Sequence, residues 1–194
     1  MYRDQELVIR PIENEDLPRL WALIFKDENP EWKLWDTPYY PHKTMAYEDF
    51  LNMNFKFVQN DAFWAIEVNE VVVGIVSYYW EHEPSNWLEI GIVFHEAPNW
   101  AKGLGTRALT LWINHLLNTL PIVRIGFSTW SGNKRMIRVG EKLGMQMEAC
   151  IRKARYYNGE YYDSIRMGML REEGCNEEKN FRKASAENAK DLTK

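Results

Sequence analysis

The sequence predicts a mixed α/β domain on a mostly antiparallel sheet, with elements in the order β-α-α-β-β-β-α-β-α-β-β. Three observations predict it. Ala62 to Val68 and Val71 to Trp80 read as strands joined by the two-residue link Asn69-Glu70. Gln146 to Tyr157 and Glu160 to Leu170 flank Asn158-Gly159, a strong short hairpin signal. Between the hairpins, Leu88 to Phe94 reads as a strand and Asn99 to Thr106 as a glycine loop. A helix of about four turns, Leu104 to Thr119, and a strand, Ile122 to Trp130, follow. Such a crossover makes its two strands parallel neighbours within an otherwise antiparallel meander.

The remaining elements follow in order. Leu7 to Ile12 alternates as a first strand that Pro11 ends. Asn14 or Glu13 then precedes an amphipathic helix, Leu17 to Phe25, with acids expected in its first turn as the helix dipole prefers. Asp27 to His42 is a loop, broken by Pro30, Pro38 and Pro41. Thr44 is expected to cap a second helix running to about Gln59, with Met45, Phe50, Met53 and Phe57 on its apolar side. In the long central helix, Ala108, Leu111, Trp112 and His115 form a stripe. Gly132 to Leu143 reads as a short helix stopped by Gly144 at a left-handed C′ position. The domain is expected to span 1–170, and 171–194 is a polar tail poor in apolar residues.

Composition narrows the function. A chain of 194 residues with 45% hydrophobic residues can bury one sizeable core. A net charge of −4 argues against nucleic acid as an obligatory partner. No apolar run approaches the length of a membrane span, and the N-terminus lacks a signal-peptide h-region, so a cytoplasmic protein is expected. Cys150 and Cys175 match no metal spacing, and His42, His82, His95 and His115 form none either, so no metal is expected. Cys150, in a strand, is expected to be buried and inert.

The glycine loop carries the strongest chemical signal. Glycines admit close approach to a ligand, and the first turn of a helix offers unpartnered N–H groups to a phosphate or pyrophosphate. From Ala101 to Gly140 there is no Asp or Glu, while Lys102, Arg107, Arg124, Lys134, Arg135 and Arg138 are basic. That asymmetry marks an anion site. Gly103-Leu104-Gly105-Thr106-Arg107-Ala108 also spells a dinucleotide fingerprint, but it follows a meander and no acid for a ribose appears before Glu141. A nicotinamide-binding oxidoreductase therefore fails, and a P-loop fails for want of Gly-Lys-Ser/Thr.

Leu88-Glu89-Ile90-Gly91-Ile92-Val93, Trp100-Ala101-Lys102-Gly103-Leu104-Gly105-Thr106, and Asn133 followed by Glu141-Lys142-Leu143-Gly144-Met145 together resemble the GNAT superfamily of N-acetyltransferases. The resemblance covers roughly Leu7 to Leu170, and the chain is similar to the RimJ/RimL-like branch that acetylates ribosomal-protein N-termini. It implies the acyl-CoA N-acyltransferase fold, with acetyl-CoA as co-substrate in a V between splayed parallel strands. Ile92, Val93 and Phe94 would offer backbone groups to the pantetheine, and Gly91 would permit a bulge that starts the splay. The amides of Lys102, Gly103, Leu104, Gly105 and Thr106 would hold the pyrophosphate. Asn133 resembles the asparagine that bonds the pantetheine arm, and a helix N-cap is its compatible structural role.

The implied reaction is direct attack of a primary amine on the thioester in a ternary complex. A neutral amine needs a proton acceptor. Glu89 is the candidate base, with a strand-end salt bridge as its structural alternative. Ser131 is the candidate relay, with a plain turn serine as its alternative. Met136 stands where the family often carries a proton-donating Ser or Tyr, and it cannot donate. Tyr156, Tyr157, Tyr161 and Tyr162 lie in the last hairpin without a marked candidate among them. His115 is expected to pack, and His95 to be a plain loop histidine, with a place near the acceptor as its alternative. The acids and aromatics of Asp27 to Tyr40 fit an acceptor cation equally as well as they fit a loop that covers the core. The acceptor is thus a protein N-terminus or a small cationic amine. A non-catalytic acyl-CoA-binding module is the alternative function, and a homodimer through the C-terminal strands stays open.

Overall fold

Residues 1–53 and 56–174 are described by the structure, a computed structural model. The strands are β1 (Tyr2–Asp4), β2 (Leu7–Pro11), β3 (Phe63–Val68), β4 (Val71–His82), β5 (Trp87–Phe94), β6 (Arg124–Trp130), β7 (Gln146–Tyr157) and β8 (Glu160–Leu170). The α-helices are α1 (Leu17–Ile24), α2 (Tyr47–Leu51), α3 (Leu104–Thr119) and α4 (Lys134–Lys142). One eight-stranded sheet runs in the order β1-β2-β3-β4-β5-β6-β8-β7, antiparallel except for β5 against β6. The mixed fold expected from the sequence is therefore present, with β1 as an added outer strand.

Both hairpin turns have the chemistry their sequences require. Asn69 and Glu70 lie at φ 51° and 65°, and Asn158 and Gly159 at 48° and 81°. Two successive left-handed residues twist a hairpin in the sense its strands need. Gly144 is left-handed at φ 78°, as its place after a helix demands.

Each face of the sheet is covered. α3 buries Leu104, Ala108, Leu109, Trp112, Ile113 and Leu116 against Leu7, Ile9, Ile66, Leu88, Ile90, Ile125 and Phe127, and α4 packs Met136, Ile137 and Val139 against the same core. The buried stripe of α3 is rotated from the expected one, so that Leu111 and His115 are half-buried at its margin. On the opposite face, Leu20 and Phe50 pack on Ile12, Ala65 and Val72, with Ile75 partly buried beside them. Because Leu88, Ile90 and Phe127 face α3, strand alternation sends Glu89, Gly91 and Ser128 to the α1–α2 face.

Three expectations are corrected. The second helix is a short five-residue piece, α2, preceded by Ala46 rather than capped by Thr44. Phe50 and Phe57 explain why: their rings sit 5.8 Å apart, whereas seven residues of straight helix would separate them by about 10 Å. Burying both in one cluster requires the chain to fold back. Cys150 is exposed, because β7 is the outer strand and Cys150 lies on an uncovered stretch of it. Gly91 makes no bulge: it pairs in register with Ser77, and the β4–β5 irregularity lies at Trp80/His82. The tail beyond residue 174, Cys175 included, lies outside the described residues.

Candidate active site

The parallel pair opens after three rungs. Trp87, Leu88 and Glu89 pair with Arg124, Ile125 and Gly126, and beyond Glu89 the two strands have no common register. β5 continues to Phe94 and β6 to Trp130, so their facing backbone groups diverge. A cleft of ≈ 580 Å³ fills the opening. Ile90 to Phe94 line one wall, and Phe127 to Trp130 the other. Gly126 belongs at the vertex: a Cβ there would stand 2.5 Å from the Met167 carbonyl oxygen of β8.

One end of the cleft is built for an anion. Gly103 precedes α3 in the left-handed region at φ 78°, and a Cβ added there would meet nothing within 4 Å. The glycine is needed for the turn rather than for space. Asn99, Trp100, Ala101, Gly103, Gly105 and Thr106 line this end, opposite Arg135, Arg138 and Lys142 of α4. The electropositive zone is narrower than the sequence suggests. Arg107 donates to Asp4 at 2.6 Å and to Glu6 at 2.8 Å, and Arg124 is paired with Glu148. Among the described residues, no carboxylate pairs with Lys102, Lys134, Arg135 or Arg138. The geometry fits a pantetheine-linked diphosphate: unpaired strand edges for the arm, helix amides for the phosphates and free cations around them.

At the vertex, Glu89 is 1% exposed. Its Oε2 accepts from Ser128 Oγ at 2.9 Å and from the Tyr79 hydroxyl at 3.5 Å. Oε1 has no hydrogen-bond partner, and its nearest cation is the Arg166 guanidinium at 3.8 Å. Burial raises the Glu89 pKa, while the Ser128 hydrogen bond and then Arg166 oppose that shift. A buried carboxylate with a free oxygen and a raised pKa has the chemistry of a base. Glu89 does not itself line the cleft; Ser128 does, and it stands between the two.

Ser131 lies elsewhere. Its Oγ accepts the Asp163 N–H at 3.0 Å, and its own N–H donates to the Asp163 carbonyl, tying the end of β6 to β8. Ser128 is the serine that joins Glu89, and the sequence signal for it was strand alternation from Phe127. Asn133 caps α4, its Oδ1 accepting the Met136 N–H at 3.1 Å, while its Nδ2 donates to the Trp35 carbonyl at 3.0 Å. Met136 lines the cleft, and none of Tyr156, Tyr157, Tyr161 and Tyr162 does. Trp100 donates its indole N–H to the Phe94 carbonyl at 2.8 Å, closing the end of the β5 wall.

The other end of the cleft is aromatic. Trp32, Trp35, Asp36, Thr37 and Trp130 line it. Trp32 is buried, its indole N–H donating to the Leu23 carbonyl at 3.1 Å, and His42 and His95 stand edge-on to it. His95 is 8% exposed, and burial lowers its pKa to about 4. It is therefore neutral at physiological pH. Asp36 is solvent-accessible at the mouth, yet desolvation by the surrounding walls raises its carboxyl pKa against the opposing charge of Lys33. The cleft thus holds cations of α4 and the glycine loop together with one carboxylate, Asp36, which follows Trp35, the ring that Arg135 meets at 4.1 Å. His115 packs instead on Trp64 and Trp112. No group of three metal-ligating side chains occurs among the described residues, and no helix is long and apolar enough to cross a membrane.

Known proteins share this fold. The family model described as an acetyltransferase (GNAT) domain matches residues 6–146. The SPbeta prophage-derived uncharacterized N-acetyltransferase YokL of Bacillus subtilis is 24% identical over 170 residues, covering 87% of this chain and 92% of that protein. Spermidine N-acetyltransferase from Vibrio cholerae, solved with CoA and spermine, has a TM-score of 0.73 at 16% identity, covering 89% of this chain and 99% of that one. RimL, a ribosomal L7/L12 alpha-N-protein acetyltransferase solved with coenzyme A, has a TM-score of 0.68 at 18% identity, covering 86% and 95%. Polyamine and protein N-terminal acetyltransferases thus share its fold, and the RimL likeness does not stand apart. The chain belongs to the GNAT acetyltransferase family and is an acetyl-CoA-dependent N-acetyltransferase.

Proposed function

We propose that the protein acetylates a primary amine of a small cationic acceptor, with Glu89 as base acting through Ser128. The observation that carries this reading is the Glu89–Ser128 hydrogen bond at the vertex where β5 and β6 part. Acetyl-CoA supplies the activated acyl group. Along the edge of β5 that turns away from β4, the backbone of Ile92 and the Phe94 N–H take the pantetheine arm, whereas the Val93 carbonyl points at Gly74 of β4 and the Phe94 carbonyl accepts from Trp100. The loop amides from Lys102 to Thr106 take the pyrophosphate at the α3 N-terminus. Ser128 accepts a proton from the amine as it passes its own to Glu89 Oε2, so the proton ends on the buried carboxyl, which becomes neutral. The raised pKa of Glu89 narrows the gap that this transfer must cross. Met136 provides no proton at the leaving sulfur, and a thiolate leaves without one.

Asp36 supports a cationic acceptor. It is the carboxylate at the aromatic end of the cleft, with Trp32, Trp35 and Trp130 as walls. Such walls attract a cation by about 0.5–2 kcal/mol. A protein N-terminus carries the same attacking group but no required second charge. Acetyl-CoA-dependent thiol release across polyamines, aminoglycosides and Ser- or Ala-started peptides tests the assignment. Turnover on polyamines or aminoglycosides, with KM raised in Asp36→Asn, is the expected result. Turnover confined to the peptides would move the acceptor to protein N-termini.

A further inference from the structure

Two indoles hold Arg135. Its guanidinium carbon lies 4.1 Å from the centre of the Trp35 ring and 5.4 Å from that of Trp100. The two rings stand edge to face with centroids 6.4 Å apart. Rings 78° apart cannot both lie flat on one guanidinium, so at most one ring stacks on it, and N–H donors remain for a further partner. Among the described residues, Arg135 makes no hydrogen bond or ion pair that would use them.

Arg135 also stands at the unfavourable end of its helix. α4 begins Lys134-Arg135, with no acid in its first turn. The N-terminus is the positive end of a helix dipole, where cations are destabilising. Arg138 follows one turn on, and Arg135 and Arg138 both line the cleft. A local rule broken at a cleft wall points to an anion that belongs there.

Trp35 connects this cation to the acceptor end. Its carbonyl accepts from Trp130 Nε1 at 3.2 Å and from Asn133 Nδ2 at 3.0 Å. It is followed by Asp36 and Thr37, which line the aromatic end of the cleft. Trp100 is anchored to the Phe94 carbonyl on the other side. The Trp35–Arg135–Trp100 cluster therefore joins the acceptor loop, α4 and the glycine loop.

We propose that Arg135 takes a phosphate of the nucleotide half of acetyl-CoA and that, through Trp35, this phosphate fixes the acceptor loop. The inference rests on the cleft being the acetyl-CoA site. It makes the acceptor mouth complete only when the cofactor is seated, which favours acetyl-CoA binding before the amine. Arg135 binds, and Trp35 is a positioning residue.

The test titrates CoA, 3′-dephospho-CoA and pantetheine into wild type, Arg135→Gln and Arg135→Lys, and follows hydrogen exchange over residues 31–42 at saturating ligand. CoA is expected to bind Arg135→Gln about tenfold more weakly, the scale of a lost charge-assisted contact. It is expected to protect 31–42 in wild type and not in that variant, with Arg135→Lys intermediate in both. Pantetheine, which has no phosphate, should protect the loop in none. An equal penalty on dephospho-CoA assigns the contact to the pyrophosphate, and a penalty on CoA alone assigns it to the 3′-phosphate. Unchanged CoA affinity in Arg135→Gln overturns the inference, as does weakened binding with loop protection intact. Failure of wild type to bind CoA at all would instead overturn the reading of the cleft.

Discussion

Glu89 illustrates how a side chain acquires basicity from its surroundings. Desolvation disfavours its charged form, and the Ser128 hydrogen bond partly restores it. Removing that bond should therefore raise the pKa further. With Glu89 as the proposed base, its ionised form is the active one, so activity is expected to be lost as pH falls through its folded-state pKa, which lies above the ordinary value of 4.5. Ser128→Ala should move the acid limb of kcat/KM to higher pH and lower the rate at its plateau. Glu89→Gln should lower kcat by about 10²-fold or more. The amine's own ionisation is common to all three enzymes, so differences between their pH profiles report the Glu89–Ser128 pair. Superimposable profiles for wild type and Ser128→Ala would reduce Ser128 to a packing group.

At the scale of elements, α4 has two tasks that Asn133 joins. Its Oδ1 caps the helix, and its Nδ2 holds the Trp35 carbonyl of the acceptor loop. Substitutions separate the tasks. Asn133→Ala loses both, with stability expected to fall by about 1 kcal/mol and acceptor KM to rise. Asn133→Asp keeps an N-cap acceptor but has no amide donor for Trp35. Urea unfolding of Asn133→Asp should therefore stay close to wild type while acceptor KM still rises. Equal KM values for wild type and Asn133→Asp would detach the acceptor loop from the cap. β5 and β6 show the same division of labour: three paired rungs fix the vertex, and the unpaired lengths beyond it form the cleft walls.

For the whole molecule, charge is segregated rather than balanced. The chain carries a net −4, yet no acid falls between Ala101 and Gly140. Asp4 and Glu6, far away in sequence, neutralise Arg107, while Lys102, Lys134, Arg135 and Arg138 stay free of carboxylates among the described residues. CoA affinity should weaken as ionic strength rises from about 0.01 to 1 M, over which the Debye length contracts from about 30 to 3 Å. Titration at both ends of that range checks this. A salt-independent affinity would assign binding to the backbone amides and the apolar walls alone.

Much of this architecture was legible from local chemistry. Asn158-Gly159 demands a tight hairpin turn, Gly144 a left-handed stop to α4, and Asn133 a helix cap, whatever surrounds them. These determine the last hairpin and the ends of α4, because each depends on a few consecutive residues. Chain-distant pairings were not legible. Ser128 meets Glu89 across 39 residues and Arg107 meets Asp4 across 103. Ser131 stands only three positions from Ser128, but it lies past the end of β6 and turns onto Asp163. The sequence by itself determined the family motifs and the glycine loop that opens α3. Only the tertiary structure decided which serine meets Glu89, which arginines remain free of carboxylates and where the loop around Trp35 rests. The physical reason is that turns and caps are closed by neighbours along the chain, whereas sheet register and ion pairing are settled by what the folded faces bring together.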